Sequence, residues 1–167
     1  MNINVLQWLE ITAKKYSDKS AFSDGNSSIS FSQVEKYAKS VGSELCKIVD
    51  TGKPVAVISG RHPLTPVAFL GVVYSGCFYA PLDGNMPLAR LNTMIKTLET
   101  DIILVDEKHL ELAKKLQFSG KIVVLEELIH SEIDEAKLQY IRRYSTETDP
   151  LYVIFTSGST GVPKGVI

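Results

Sequence analysis

Apolar positions recur with two different periods along this chain, and the switch between them marks its elements. Over residues 4–15, Val5, Trp8, Leu9 and Ala13 fall on one helical face, and Asn4 with Gln7 three residues on gives a capping pattern at the start. The stretch "SAFSDGNSSISF" sets the turn signal Asp24-Gly25-Asn26 between two short apolar runs, which predicts a hairpin. Ser30 and Gln33 form a second capping-box pattern. Val34, Tyr37, Ala38, Val41, Leu45 and Ile48 follow at helical spacing, in a helix expected to end at Gly52.

From Pro54 the pattern shortens. "PVAVIS" is a continuous β-branched run, as expected of a strand buried on both faces. Thr65-Pro66 reads as cap and first residue of a helix that Gly76 stops. "CFYAPLD" is a strand, and Pro87 opens a helix carrying Leu88, Leu91, Met94, Ile95 and Leu98. "IILV" (102–105) is a strand, 107–116 a helix, "KIVVLE" (121–126) a strand, 132–143 a polar exposed helix, and "LYVIF" (151–155) a final strand. Strands alternating with helices at this spacing imply parallel pairing through right-handed crossovers. The expected class is therefore α/β: a doubly wound, mostly parallel sheet with helices on both faces. Residues 1–53 read as an annex of helix, hairpin and helix, and residues 54–167 as the sheet unit.

Composition excludes more than it assigns. With 18 Lys and Arg against 19 Asp and Glu, the net charge of −1 argues against nucleic acid as a partner. The most apolar segment, Val67–Leu82, is too short and too broken by Gly, Ser and Pro to cross a membrane, so no membrane partner is expected. Cys46 and Cys77 form no paired motif, which fits a reduced, cytosolic chain, and His62, His109 and His130 show no metal-ligand spacing.

The chemistry gathers in "TSGSTGVPKG", Thr156 to Gly165, directly after "LYVIF". Open α/β sheets bind ligands at the carboxyl ends of their strands. Glycines there let backbone N–H groups converge on an anion, hydroxyls add donors, and a lysine adds charge on a flexible stem. Those are the requirements of a triphosphate cradle. A Gly/Ser-rich surface turn is the alternative for so short a match. The Walker loop G-x-x-x-x-G-K-[ST] does not fit. Counted from Gly158, Pro163 stands at the second glycine and Gly165 at the Ser/Thr that would hold Mg2+. "GVI" also reads as the start of a strand rather than of a helix, which disfavours a Walker-type ATPase or kinase.

"YVIFTSGSTGVPKGVI" resembles the phosphate loop of the adenylate-forming superfamily, which contains acyl-CoA synthetases, luciferases and the adenylation domains of peptide synthetases. Two further stretches match that family in order. They are "ISFSQVEKYAKSVGSEL" and "FLGVVYSGCFYAPLDGNMPLARLNTMI", in which Gly76, Tyr79, Pro81, Leu82, Asp83, Pro87, Arg90 and Leu91 follow the family pattern. The wording looks most like the amino-acid-activating branch, which includes peptide-synthetase adenylation domains and D-alanine–carrier-protein ligases. The resemblance implies ATP and Mg2+ as cofactors. It also implies a small carboxylate or amino acid as substrate, and a carrier-protein pantetheine or CoA as thiol acceptor. By the same resemblance Thr156, Ser157, Gly158, Ser159, Thr160, Gly161 and Lys164 grip the phosphates.

In that family the adenine pocket, the Mg2+ glutamate and the catalytic lysine follow the phosphate loop, so no catalytic residue is expected within this chain. The chain reads as the N-terminal part of such a ligase, inactive alone. The alternatives are part of an acyl-CoA synthetase, or a non-catalytic nucleotide- or protein-binding module. Arg61 and His62 read as a solvated loop at the ligand-side edge. Asp83 reads as a turn residue rather than a base, Tyr74, Phe78 and Tyr79 as core, and Glu126 and Glu127 as a helix start.

Overall fold

The computed structural model describes residues 4–156 and 163–166. Its first helix, α1 (Val5–Lys15), is capped by Asn4, whose Oδ1 accepts from the Leu6 and Gln7 N–H groups at 3.0 and 3.3 Å. Leu6 and Ala13 are buried, and Val5 and Leu9 pack partly against the same core. Trp8 does not join them: it lies to one side of that stripe and is 66% exposed. Leu6, absent from the expected face, takes the central position.

The hairpin forms as β1 (Ser20–Ser23) and β2 (Ser28–Ser30), antiparallel around Asp24, whose carboxylate accepts from Asn26 and Ser27. Helix α2 (Phe31–Leu45) begins with both halves of the Ser30/Gln33 capping box in place. It stops at Leu45 rather than running to Gly52. Past that point Lys47 and Ile48 donate three residues back, to Glu44 and Leu45, and the helix tightens into turns.

Four parallel strands follow: β3 (Pro54–Ser59), β4 (Phe78–Asp83), β5 (Ile102–Val105) and β6 (Lys121–Val124), in the spatial order β4-β3-β5-β6. Helices α3 (Thr65–Tyr74), α4 (Leu88–Leu98), α5 (Leu110–Ala113), α6 (Leu125–Leu128) and α7 (Glu135–Tyr144) lie between and after them. Several boundaries differ from expectation. Thr65 is the first helical residue rather than the cap, and its hydroxyl donates to the Gly60 carbonyl at 2.7 Å. The helix expected over 107–116 divides into a 3-10 turn, Glu107–His109, and the short α5. Strand β6 ends at Val124, so Glu126 and Glu127 fall in the first turn of α6. Helix α7 starts later than expected, where Asp134 caps Lys137, and it buries Leu138 and Ile141 rather than lying wholly exposed.

Alternation along the central strands explains the layers. Val55, Val57, Ile102 and Leu104 point to one face, where they meet α1, α2, α3, α6 and α7 in one core that includes Leu6, Val34, Val41 and Leu138. Ala56, Ile58, Ile103 and Val105 point to the other, against Leu91, Met94 and Ile95 of α4 and Ala113 of α5. All four residues of β5 are buried, the signature of a strand covered on both sides. Each fully buried aliphatic side chain here contributes about 1.5–3 kcal/mol relative to exposure. Pro81 sits in β4, at the end of the four-strand order, where a missing backbone donor is tolerated.

Candidate functional site

The final strand does not simply extend the parallel sheet. The segment after α7 runs beside β4, where Tyr79 donates to the Leu151 carbonyl at 3.2 Å and its own carbonyl accepts from Val153 at 2.9 Å. Tyr152 pairs with Tyr79 as an isolated parallel bridge. The chain then leaves the sheet. Ile154–Thr156, β7, pairs antiparallel with Lys164–Val166, β8, in the register Ile154↔Val166, Phe155↔Gly165 and Thr156↔Lys164.

"LYVIF" is therefore not one continuous strand. Val153 is buried and Phe155 partly so, whereas Ile154 is 50% exposed. Once the segment has left β4, its outer side has no sheet to lie against.

Of the sequence-derived phosphate contacts, Thr156 and Lys164 are paired neighbours in this arm, and the Thr156 hydroxyl approaches the Lys164 carbonyl at 3.4 Å. Ser157, Gly158, Ser159, Thr160 and Gly161 lie outside the described residues. Both Thr156 and Lys164 are exposed, and Lys164 makes no ion pair among the described residues, so its charge is available to an anion. Pro163 is buried beside it and offers no N–H. Gly165 has a packing reason: a Cβ there would stand 2.9 Å from Val153 Cγ1. Val153 and Phe155 thus anchor the arm while its other side stays open.

A second constellation stands at the carboxyl ends of β3, β4 and β5. Asp106 Oδ2 accepts from the Gly60 N–H at 2.9 Å, and Oδ1 accepts from the His109 N–H at 2.9 Å. His109 Nδ1 lies 2.6 Å from Oδ1, and both side chains are nearly buried. With backbone donors on each oxygen the carboxylate acts as acceptor, which fits the proton on Nδ1. A methyl group on Gly84 would overlap the imidazole, so the turn after β4 closes directly over His109. Gly60 and His109 border a cavity of about 600 Å³, together with Arg61, Thr65, Phe69 and Asp83.

Asp83 is a turn residue. Its Oδ1 accepts from both nitrogens of Asn85 at 2.9 Å, and the Asn85 backbone N–H is the main reason its carboxyl stays below the usual range. The Asp106–His109 pair was not anticipated from sequence. A spacing of three residues is its only local mark, and its partners at Gly60 and Gly84 are distant in the chain. Elsewhere, Tyr74 is buried and donates to Glu10 at 3.0 Å, Phe78 is buried, and Tyr79 is half-buried and stacked on Phe69 at 4.4 Å.

Comparison with known proteins gives these features a context. A model of the family described as "AMP-binding enzyme" matches residues 9–167. A D-alanine–D-alanyl carrier protein ligase of Listeria monocytogenes is 29% identical over 99% of this chain. Tyrocidine synthase 1 of Brevibacillus parabrevis is 29% identical over 98%. This chain spans 33% of the length of the first and 15% of the second. Among solved structures, the N-terminal subdomain of Klebsiella oxytoca NpsA superposes with a TM-score of 0.81 at 17% identity, covering 99% of this chain and 41% of that one, a likeness of fold.

Proposed function

The chain belongs to the AMP-binding enzyme family, and on that premise we propose that it is the ATP-phosphate-gripping portion of a ligase that activates a carboxylate as an acyl-adenylate. The observation that carries the proposal is the β7–β8 arm. Its register makes Thr156 and Lys164 neighbours, and between them in sequence stand the glycines and hydroxyls of "SGSTG". In the proposed reaction the substrate carboxylate attacks the α-phosphate of ATP, the bond to the β-phosphate breaks, and pyrophosphate leaves. A pantetheine thiol then takes the acyl group and AMP departs.

The contribution of this chain is positioning and charge. Thr156, Ser157, Gly158, Ser159, Thr160, Gly161 and Lys164 hold the β- and γ-phosphates and stabilise the leaving pyrophosphate. No group of three or more His, Cys, Asp or Glu among the described residues is disposed to hold a metal. Mg2+ enters the proposed reaction as part of Mg·ATP. Two relatives whose names concern a D-alanyl carrier protein and tyrocidine synthesis support an amino acid as the acid and a carrier-protein pantetheine as the acceptor. Part of an acyl-CoA synthetase is the second reading, supported by the fold likeness to a fatty acyl-adenylate ligase from L. pneumophila, TM-score 0.76. The free, protonated cysteines fit a reducing compartment.

Because the chain spans a third of the Listeria ligase, the proposal includes that these residues do not adenylate unaided. The test is a chimera in which this chain replaces the matching third of that ligase, assayed for ATP–pyrophosphate exchange across a panel of amino and fatty acids. Exchange dependent on an amino acid is expected. A folded chimera that exchanges only with fatty acids would favour the second reading. Acid-dependent exchange by the 167-residue chain alone would contradict the division of labour.

A further inference from the structure

A cavity of about 420 Å³ lies beside the start of β4, among residues that the proposed adenylating reaction does not use. It is bordered by Phe78 at the start of β4, by Tyr140 and Tyr144 of α7, and by Thr51, Asp149 and Pro150 from two loops. Its volume suits a small ligand. The two tyrosines are 57% and 71% exposed. Their ring centroids are 5.1 Å apart at an interplanar angle of 58°, so they form a corner rather than a flat stack. Exposure of two large rings, one helical turn apart and beside a buried phenylalanine, is not explained by packing within the chain.

The charge of the lining selects the ligand. Among the described residues, Asp149 is its only ionisable side chain besides the tyrosines, and no Lys, Arg or His borders the cavity. Two cations lie nearby without lining the cavity. Arg142 Nη2 faces Glu10 Oε2 at 3.8 Å, and Lys137 Nζ stands over the Tyr140 ring at 6.0 Å without lining the cavity. The Asp149 carboxylate is fixed by Thr146, whose N–H and hydroxyl donate to its two oxygens at 2.8 and 2.7 Å. The far wall is backbone. Gly52 and Gly76 have φ of 78° and 75°, and the Gly52 N–H donates to the Gly76 carbonyl at 2.8 Å. That conformation favours glycine, and it keeps side chains out of this wall.

Aromatic faces carry negative potential and attract organic cations, most strongly where water is excluded. A corner of aromatic rings with one carboxylate and no cation among its described lining residues is the arrangement that recognises an alkylammonium group. We propose that this cavity binds a quaternary or alkylated ammonium, with Phe78, Tyr140 and Tyr144 as its aromatic walls and Asp149 as its counter-charge. A choline-type small molecule and a methylated lysine side chain share this chemistry. The inference is independent of the adenylating reaction.

The test is an amide NMR titration of the 167-residue chain with choline. The control is its uncharged carbon isostere, in which a tert-butyl group replaces the trimethylammonium. Saturable shifts at Thr51, Gly52, Gly76 and Tyr144 are expected with choline and not with the isostere. Tyr144→Ala and Asp149→Asn should each weaken binding by about tenfold while leaving distant resonances in place, since both side chains are exposed. A peptide with trimethyllysine, set against its unmodified form, separates the two sources. Binding of either source supports the proposal. Equal binding of the uncharged isostere, no saturable shift with any of the cations, or undiminished binding by both variants overturns it.

Discussion

The four-stranded sheet and the β7–β8 arm are built on opposite terms. In β5 every residue is buried, and its neighbours β3 and β6 are held against it in unbroken parallel register. In the arm, three residues pair with three, and Ile154, Thr156 and all of β8 are exposed. Val153 and Phe155 tie it to the cores. The sheet is determined by apolar burial, so its residues answer to packing. The arm carries the proposed phosphate chemistry and answers to local constraints: a register, a proline without an N–H, and a glycine against a valine. Stability and phosphate affinity should therefore separate cleanly by region.

Substitutions break that separation or sharpen it. The largest loss is expected from Leu104→Ala in β5, at about 2–5 kcal/mol, because a cavity opens between covered faces. Ile154→Ala in the arm should cost less than about 1 kcal/mol. Urea denaturation of the two variants makes the comparison, and near-equal losses would erase it. Next is Gly84→Ala, where the new methyl meets His109; about 1–3 kcal/mol is expected from overpacking. If its loss is no larger than that of an exposed substitution, the turn does not close over the imidazole as described. Ser30→Ala removes one half of the capping box of α2 and should cost about 1 kcal/mol.

The smallest effect is one of pH. Burial, with a lesser contribution from Cys77, pushes the Cys46 thiol up to about 11, against about 8.5 for a free cysteine. The folded state holds the proton more tightly than the unfolded one. This stabilisation is thus complete below the ordinary thiol value and is lost as pH rises toward 11. Slow alkylation of the native chain at mildly alkaline pH, and a urea midpoint that falls across this window less in Cys46→Val, are the expected results.

Much of the sheet was legible because its signals are local. Continuous apolar runs at 54–59 and 102–105 mark strands covered on both faces, and the Ser30/Gln33 pair marks a helix start by its own hydrogen bonds. The proposed phosphate contacts rest on the sequence's chemistry, in which Pro163 and Gly165 separate this loop from the Walker type without reference to a fold. What escaped depends on distant partners. Trp8 has the right period for the α1 face, yet Leu6 is the residue that meets α2 and α3. The departure of β7 from β4 depends on β8, ten residues on. Asp106 and His109 gain their meaning only when Gly60 and Gly84 arrive beside them.

The most direct test of the account is a titration of Mg·ATP into the isotope-labelled 167-residue chain and its Lys164→Ala variant. Lys164 is exposed and unpaired among the described residues, so the variant should match the parent in urea stability to within about 0.5 kcal/mol. The account predicts saturable shifts at Thr156 and Gly165 that weaken at least about tenfold in the variant, the loss of one charge-assisted phosphate contact, with the β3–β5 resonances unmoved. Equal binding by the two chains, or shifts that centre on the sheet instead of the arm, would contradict it.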